Sequence, residues 1–337
     1  MPQTYKIAFW NLENLFAPDG HPSHEPKVYN QVKNDLAGWT DALFETKLTQ
    51  LTRIITQLDP TVLGVCEVEN SFVLEALVEK VRATTGRAYD VVHADSTRDR
   101  RGIDTAFLYD TGRIAFVPGT LFSHFVLRST GTRDISQATF RTASGNDLIL
   151  LANHWPSRSG GTELSRGYRM VAGETLGYWH KRIREETTED AAILAMGDMN
   201  DDPFDESVSI HARASRERGD VERSRTAARF YNLTWNYMRQ LCTDPTGATR
   251  LLHGTLYYQG DANAFDQIMV SKALLTAGQP FSVREETAKI EAIPEMVSTR
   301  VSPEPVRFGL PKGNAAANVN TAGFSDHYPV SVLIDEI

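Results

Sequence analysis

The chain has 337 residues, of which 41% are apolar and 23% charged, with 35 basic against 43 acidic side chains and a net charge of −8. This is the composition of an ordinary globular protein. No stretch approaches the about 18 unbroken apolar residues of a membrane helix, and the acidic balance speaks against tight binding of nucleic acid through phosphate neutralisation alone.

The chain opens with a strand, Lys6–Asn11, entered directly after Met-Pro-Gln-Thr-Tyr with no basic segment and apolar core of a secretory signal, so a cytoplasmic location is expected. Apolar spacings of three and four predict a helix over Asp41–Leu58, with Thr40 as its cap and Pro60 just beyond. Strand Val62–Glu67 and a helix from Ser71 to about Thr84 follow, then strands Tyr89–His93, Thr105–Tyr109 and Leu148–His154. A helix is expected over Glu163–Glu185, its continuity weakened by Gly167, Gly173 and Gly177. Strands Ala191–Met196, Phe265–Ser271 and Tyr328–Ile334 complete the set. Residues 205–240 read as helix or loop, and the Pro-, Gly- and Asn-rich stretch 301–321 as a surface excursion. Several strands are nearly unbroken apolar runs, as expected for strands buried on one face by another sheet or by helices. With no repeat and no interdomain linker, one domain over residues 1–337 is expected. Cys66 reads as a buried small hydrophobe, and two cysteines make no disulfide framework or zinc site.

Polar side chains gather where these strands end. Asn11 closes the first strand as a metal ligand or orienting group, or as a turn cap. Glu67 closes the second and is a metal-ligand candidate, with Glu69 read as a first-turn acid of the next helix. Asn153-His154 leaves an aliphatic strand into Trp-Pro-Ser-Arg-Ser-Gly-Gly. There His154 could donate to a phosphate oxygen, Arg158 could clamp that phosphate, and Asn153 is placed as a substrate contact. In Gly197-Asp198-Met199-Asn200, strand alternation would put Asp198 and Asn200 on one face, able to orient water and hold a phosphoryl group. Asp201 and Asp202 would cap a helix after Pro203. Asp266 is a partner for an imidazole or a turn-ending acid, and Ser325-Asp326-His327 supplies that imidazole together with a metal-ligand candidate, Asp326. Asp104 orients a site group or ends a turn, and Arg101 is a substrate-contact candidate. Oxygen donors at the ends of several strands are what a hard divalent cation and a phosphoryl group require. Two basic clusters stand out: Arg98, Arg100 and Arg101, and six arginines between Arg213 and Arg229.

Taken in order, Trp10-Asn11, Glu67, Asn153-His154, Gly197-Asp198-Met199-Asn200, Phe265-Asp266-Gln267 and Ser325-Asp326-His327 resemble the motifs of the endonuclease/exonuclease/phosphatase superfamily. The resemblance spans nearly the whole chain. It implies an α/β fold, a four-layer sandwich of two packed, mainly antiparallel sheets flanked by helices, and a Mg²⁺- or Mn²⁺-dependent phosphoesterase. It further implies Asn11, Glu67 and Asp326 at the metal, Asp198 on the attacking water, Asn200 on the phosphate, His327 on the scissile phosphate and Asp266 orienting His327. His154 is similar to the second histidine of the DNase I-like and sphingomyelinase-like branches and stands where abasic-site endonucleases carry a tyrosine. Glu13 stands where that repair branch has an aspartate. The leading expectation is a nuclease in transient contact with DNA or RNA. The alternatives are a phosphodiesterase or phosphatase of a small or lipid-derived phosphoester, and a non-catalytic binding protein. Arginines 213–229 lining a groove beside the site would favour a polymer; arginines facing away would favour a small substrate.

Overall fold

The computed structural model describes residues 3–337 except 97, 98, 129, 130, 226 and 259, so Arg98 of the first basic cluster lies outside the described residues. The strands are β1 (Gln3–Leu15), β2 (Val62–Val68), β3 (Tyr89–His93), β4 (Asp104–Asp110), β5 (Ala115–Phe116), β6 (Phe122–His124), β7 (Ile135–Arg141), β8 (Asp147–His154) and β9 (Ala192–Asp198). They continue with β10 (Ala214–Ser215), β11 (Phe230–Asn232), β12 (Gln240–Thr243), β13 (Thr249–Leu252), β14 (Leu256–Tyr258), β15 (Asp261–Asn263), β16 (Asp266–Val270), β17 (Phe281–Ile290) and β18 (Val330–Glu336). The helices are α1 (Pro26–Leu36), α2 (Asp41–Leu58), α3 (Ser71–Thr85), α4 (Thr162–Glu186), α5 (Arg218–Arg223) and α6 (Ala315–Asn318).

Two large sheets result, in the orders β17-β18-β1-β2-β4-β3 and β10-β11-β16-β9-β8-β7-β5, with β6 also on β7. Most neighbours are antiparallel; β1 with β2, β8 with β9 and β10 with β11 are parallel. This is the expected α/β sandwich of two packed, mainly antiparallel sheets flanked by helices.

The unbroken apolar runs are explained by burial on both faces. Leu148, Leu150 and Ala152 of β8 and Leu194 and Met196 of β9 join the interior between the sheets. The alternate residues Ile149, Leu151, Ile193 and Ala195 pack outward with Ala172, Leu176 and Ile183 of α4. On the other sheet α2 contributes Phe44, Leu48, Leu51, Ile54 and Ile55 to the main core. The bounds of α2 are those the periodicity predicts: the Thr40 side chain accepts from the Leu43 amide, and Asp59 ends the helix in the left-handed region at φ 48°.

The glycines of α4 do not interrupt it. A Cβ at Gly173 would stand 2.1 Å from the Ser207 carbonyl oxygen, and one at Gly177 2.7 Å from that of His211, so these glycines let the helix lie against the Ser207–His211 turn. Several elements, α1, β7 and β17 among them, are not predicted from the sequence. Helix α1 buries only Val28, Val32 and Leu36, and β17 is an edge strand of mostly polar residues. Strand β7 carries buried Ser136, Gln137 and Thr139. Residues 205–240, expected as helix or loop, hold short helical turns, α5 and loops, with the two short strands β10 and β11 besides. Among the described residues no helix is long and apolar enough to cross a membrane.

Candidate active site

The C-terminal ends of β1, β2, β8 and β9 and the start of β16 surround a cavity of about 630 Å³ whose lining includes Glu67, His154, Asp198, Asn200, Asp326 and His327. Residues more than three hundred positions apart meet because β1 is central, bonded to both β2 and β18. The strand ends are irregular. Register shifts mark β1 after Asn11 and β2 after Cys66, and Glu13, Asn14 and Glu67 hold φ of 54°, 58° and 60°. Left-handed, non-glycine backbone of this kind costs free energy and concentrates at functional sites. Here it turns the Glu67 carboxylate to accept from the Asn14 amide at 2.9 Å while facing the cavity.

His327 is the best-held group. Its Nδ1 lies 2.8 Å from Oδ2 of Asp266, its amide donates to the Ser325 hydroxyl, and its carbonyl accepts from the Trp10 indole. Its Nε2 faces the cavity, 3.9 Å from Asp198 Oδ2 and 4.0 Å from Asp326 Oδ1. Burial favours the neutral ring, but Asp266 and Asp198 outweigh it and hold the imidazolium well above the usual histidine range. His154 is pushed the opposite way, by burial and then by Arg133, Arg101 and His327, and stays neutral. Its Nε2 is 3.7 Å from Glu67 and 3.8 Å from Asp198. The cavity thus presents one charged and one neutral imidazole.

Asp198 Oδ2 accepts from Asn11 Nδ2 at 3.2 Å, and Oδ1 accepts from the Asn200 amide at 3.0 Å. Burial lifts the Asp198 carboxyl above the usual carboxylate range against the pull of His327, with Asp266 and Glu67 adding to the rise. Asn200 does not share a strand face with Asp198, as alternation predicts. The strand stops at Asp198, and Asn200 enters the cavity through a turn at φ 50°, its Nδ2 donating to the Trp155 carbonyl at 3.0 Å.

Several expected roles change. Asn153 is fully buried and outside the cavity. Its amide donates to the Leu151 and Met196 carbonyls and accepts from the Trp155 indole, so it braces β8 against β9. The Asn11 Oδ1 accepts from the Glu13 amide while Nδ2 holds Asp198, which makes Asn11 a support for Asp198. Arg158 lines the cavity, but its guanidinium is bound to Asp201 and Asp205, each at 2.7 Å, and to the Asn200 carbonyl at 2.8 Å, so its fork positions the Asn200 turn. Asp201 and Asp202 do not cap a helix: Asp201 pairs with Arg158 and Arg169, and Asp202 accepts from the Ala264 amide. Glu69 precedes the α3 cap, Asn70, and binds His24 at 2.5 Å. Asp104 lies outside the cavity and accepts from the Ser96 amide. Arg101 does reach the cavity, 3.7 Å from Glu67.

The donors suited to a hard cation are Glu67 and Asp326. Burial and then the carboxylates of Glu13 and Glu67 raise the Asp326 carboxyl well above its usual range, a repulsion that a bound cation would relieve. Glu13 itself is saturated by Arg307 at 2.7 Å and the Phe308 amide at 2.9 Å, with Lys47 at 3.9 Å. Among the described residues no three His, Cys, Asp or Glu side chains close on one point. Two carboxylates with the remaining positions left to water and phosphate oxygens fit a Mg²⁺-type ion, which keeps much of its hydration.

Arg128, Arg133, Tyr168 and Tyr258 also line the cavity and are absent from the sequence reading. The one local signal for them is the pair of arginines around Gly131, ahead of β7. None of the arginines between 213 and 229 lines it. Arg216 lies over the Trp235 ring at 4.7 Å, Arg218 pairs with Glu222 and Glu285, and Arg223 with Asp220.

A mixed α/β sandwich with an acid-bound histidine, a buried aspartate and two further carboxylates at one rim defines the class of protein by its fold and site. A sequence profile of the endonuclease/exonuclease/phosphatase family matches residues 6–336, and the chain belongs to that family. Solved structures agree in fold. An endonuclease/exonuclease/phosphatase family protein from Bacteroides thetaiotaomicron superposes with a TM-score of 0.57 at 13% identity, covering 100% of this chain and 99% of that one. A mannosyl-6-phosphatase from the same organism gives 0.55 at 14% identity, over 98% and 99%. The human Nocturnin catalytic domain gives 0.54 at 13% identity, over 100% and 98%. No curated protein matches the sequence significantly.

Proposed function

We propose that the protein hydrolyses a phosphoester with the help of a divalent cation, Mg²⁺ or Mn²⁺, held by Glu67 and Asp326. What carries this reading is one cavity in which Asp266-bound His327, Asp198 and the two carboxylates all face the same space. A bound cation would supply charge neutralisation at the phosphoryl oxygens. The chain's own groups do the rest. Asp198, with its raised proton affinity, takes the proton of the attacking water. Asn11 and the Asn200 amide fix its two oxygens. His327, charged and locked by Asp266, donates from Nε2 to the charge that builds on the phosphoryl group, and neutral His154 donates a second hydrogen bond. Arg158 keeps the Asn200 turn in place. Residues 1–337 act as one domain, since both sheets contribute to the one site.

The substrate is a small phosphoester rather than a long nucleic acid. None of the arginines of 213–229, which would line a groove for a polymer, lines the cavity, and Arg216, Arg218 and Arg223 are engaged with Trp235 and with acids. The similarity in fold to a mannosyl-6-phosphatase is compatible with this choice. A nuclease stays the competing activity because Arg100, Arg101 and Arg128 do face the cavity. The test is purified protein with Mg²⁺ or Mn²⁺ against p-nitrophenyl phosphate, bis-p-nitrophenyl phosphate, sugar phosphates, plasmid DNA, single-stranded DNA and RNA, with EDTA controls. Metal-dependent turnover of the small esters is expected. Activity indifferent to EDTA, or none on any substrate, would overturn the proposal.

A further inference from the structure

Five guanidinium groups line the cavity, those of Arg100, Arg101, Arg128, Arg133 and Arg158. Three face carboxylates: Arg158 is held by Asp201 and Asp205, each at 2.7 Å, Arg133 by Asp99 at 3.0 Å, and Arg101 stands 3.7 Å from Glu67. Arg100 and Arg128 have no acidic partner among the described residues. Arg128 is nevertheless held in place, its guanidinium over the Tyr168 ring at 4.5 Å. The Nε of Arg128 and the Nε of the 6%-exposed Arg133 are both buried and without a hydrogen-bond acceptor. Arg128 and Arg100 both line the cavity, so an acceptor brought by a ligand can meet the outer N–H groups of both. Arg128 lies between β6 and β7 and Tyr168 on α4, whereas Glu67 ends β2 and Asp326 and His327 precede β18.

We propose that the cavity binds a second phosphate of the substrate on Arg128 and Arg100, beside the phosphoester that is cleaved. The proposal deepens the phosphoesterase assignment and rests on it. Two arginines with no acidic partner among the described residues suit a phosphate, whose oxygens their planar forks can meet. The second phosphate belongs either to a small bisphosphate or to the neighbouring link of an oligonucleotide.

The experiment compares ligands that differ by one phosphate: thymidine 5′-phosphate with thymidine 3′,5′-bisphosphate, and fructose 6-phosphate with fructose 1,6-bisphosphate. Binding to the full chain is measured by titration calorimetry without divalent metal, so that no hydrolysis intervenes. In at least one pair the bisphosphate is expected to bind about tenfold tighter or better, the scale of a charge-assisted contact. That ratio is expected to shrink towards one in Arg128→Gln and in Arg100→Gln; Arg100 is exposed, so its substitution does not threaten folding. Equal affinities within both pairs would overturn the proposal, as would a ratio that survives both substitutions. Oligothymidylates of two to six nucleotides separate the sources: affinity climbing with length supports a polymer-borne phosphate, and affinity flat beyond the bisphosphate supports a small substrate. Metal-dependent turnover of p-nitrophenyl phosphate, measured in parallel, scores the phosphoesterase assignment independently of the second-phosphate subsite.

Discussion

His327 Nδ1 sits 2.8 Å from Asp266 Oδ2, joining the segment before β18 to the first residue of β16 across 61 positions of sequence. This bond fixes which imidazole nitrogen faces the cavity. His327→Ala and Asp198→Ala are each expected to lower kcat by about 10²–10⁴. Asp266→Asn, acting through His327, should lower kcat with KM within a few-fold of wild type. Steady-state kinetics on the best small ester decides this, and near-normal kcat in all three folded variants would sink the assignment.

Arg158 is a positioning residue because its fork is already occupied by Asp201, Asp205 and the Asn200 carbonyl. Lysine cannot reproduce that geometry. Arg158→Lys should cost about 1–3 kcal/mol of stability and lower kcat through the displaced Asn200 turn, while phosphate affinity changes little. Urea melts and inhibition by inorganic phosphate check this. Unchanged stability with weakened phosphate inhibition would return Arg158 to the role of phosphate clamp.

The glycine of the Gly197-Asp198-Met199-Asn200 motif has a steric cause. A Cβ on Gly197 would stand 2.3 Å from the Asn153 carbonyl oxygen, and backbone on a paired strand cannot swing aside. Gly197→Ala should cost more than about 1 kcal/mol and reduce activity by shifting Asp198. Gly167 of α4 faces open space, and Gly167→Ala should stabilise by about 0.5–1 kcal/mol from helix propensity. Thermal melts of the pair that come out in the reverse order would contradict the packing described.

His24 carries a pH dependence away from the reaction centre. Its Nδ1 is 2.5 Å from Glu69 and its Nε2 2.8 Å from the Pro18 carbonyl, two acceptors that together require the doubly protonated ring. Burial opposes the charge, but Glu69, Pro18 and Asp19 outweigh it and raise the folded pKa above 6.5. A raised histidine pKa stabilises the fold fully below the unfolded value of about 6.5 and loses that contribution as pH climbs through the folded value. Wild-type stability should therefore fall from pH 6.5 upward relative to His24→Gln, as read by urea melts at stepped pH. Parallel curves for the two proteins would show that folding does not raise the His24 pKa, and a wild-type advantage growing with pH would show that the ring is neutral when folded.

Much of this was readable along the chain, because apolar periodicity and strand-end polarity are local properties. The apolar character of β8 and β9, the bounds of α2 and the placement of Glu67, His154, Asp198, Asp326 and His327 at element ends follow from residues within a few positions of one another, whereas the cover on both faces of β8 and β9 is decided by the fold. The partner of a polar side chain is a different matter, since it can come from anywhere in the fold. Asn153 and His154 are adjacent, yet one braces two strands inside the sandwich and the other lines the cavity. Arg158 resembles a phosphate clamp until Asp201 and Asp205 fold beneath it. Arg128 and Arg133 resemble loop charges until α4 brings Tyr168 under one and Asp99 meets the other. Periodicity fixed the layers, and long-range pairing of charges, which no window of sequence contains, chose which side chains remain open to a ligand.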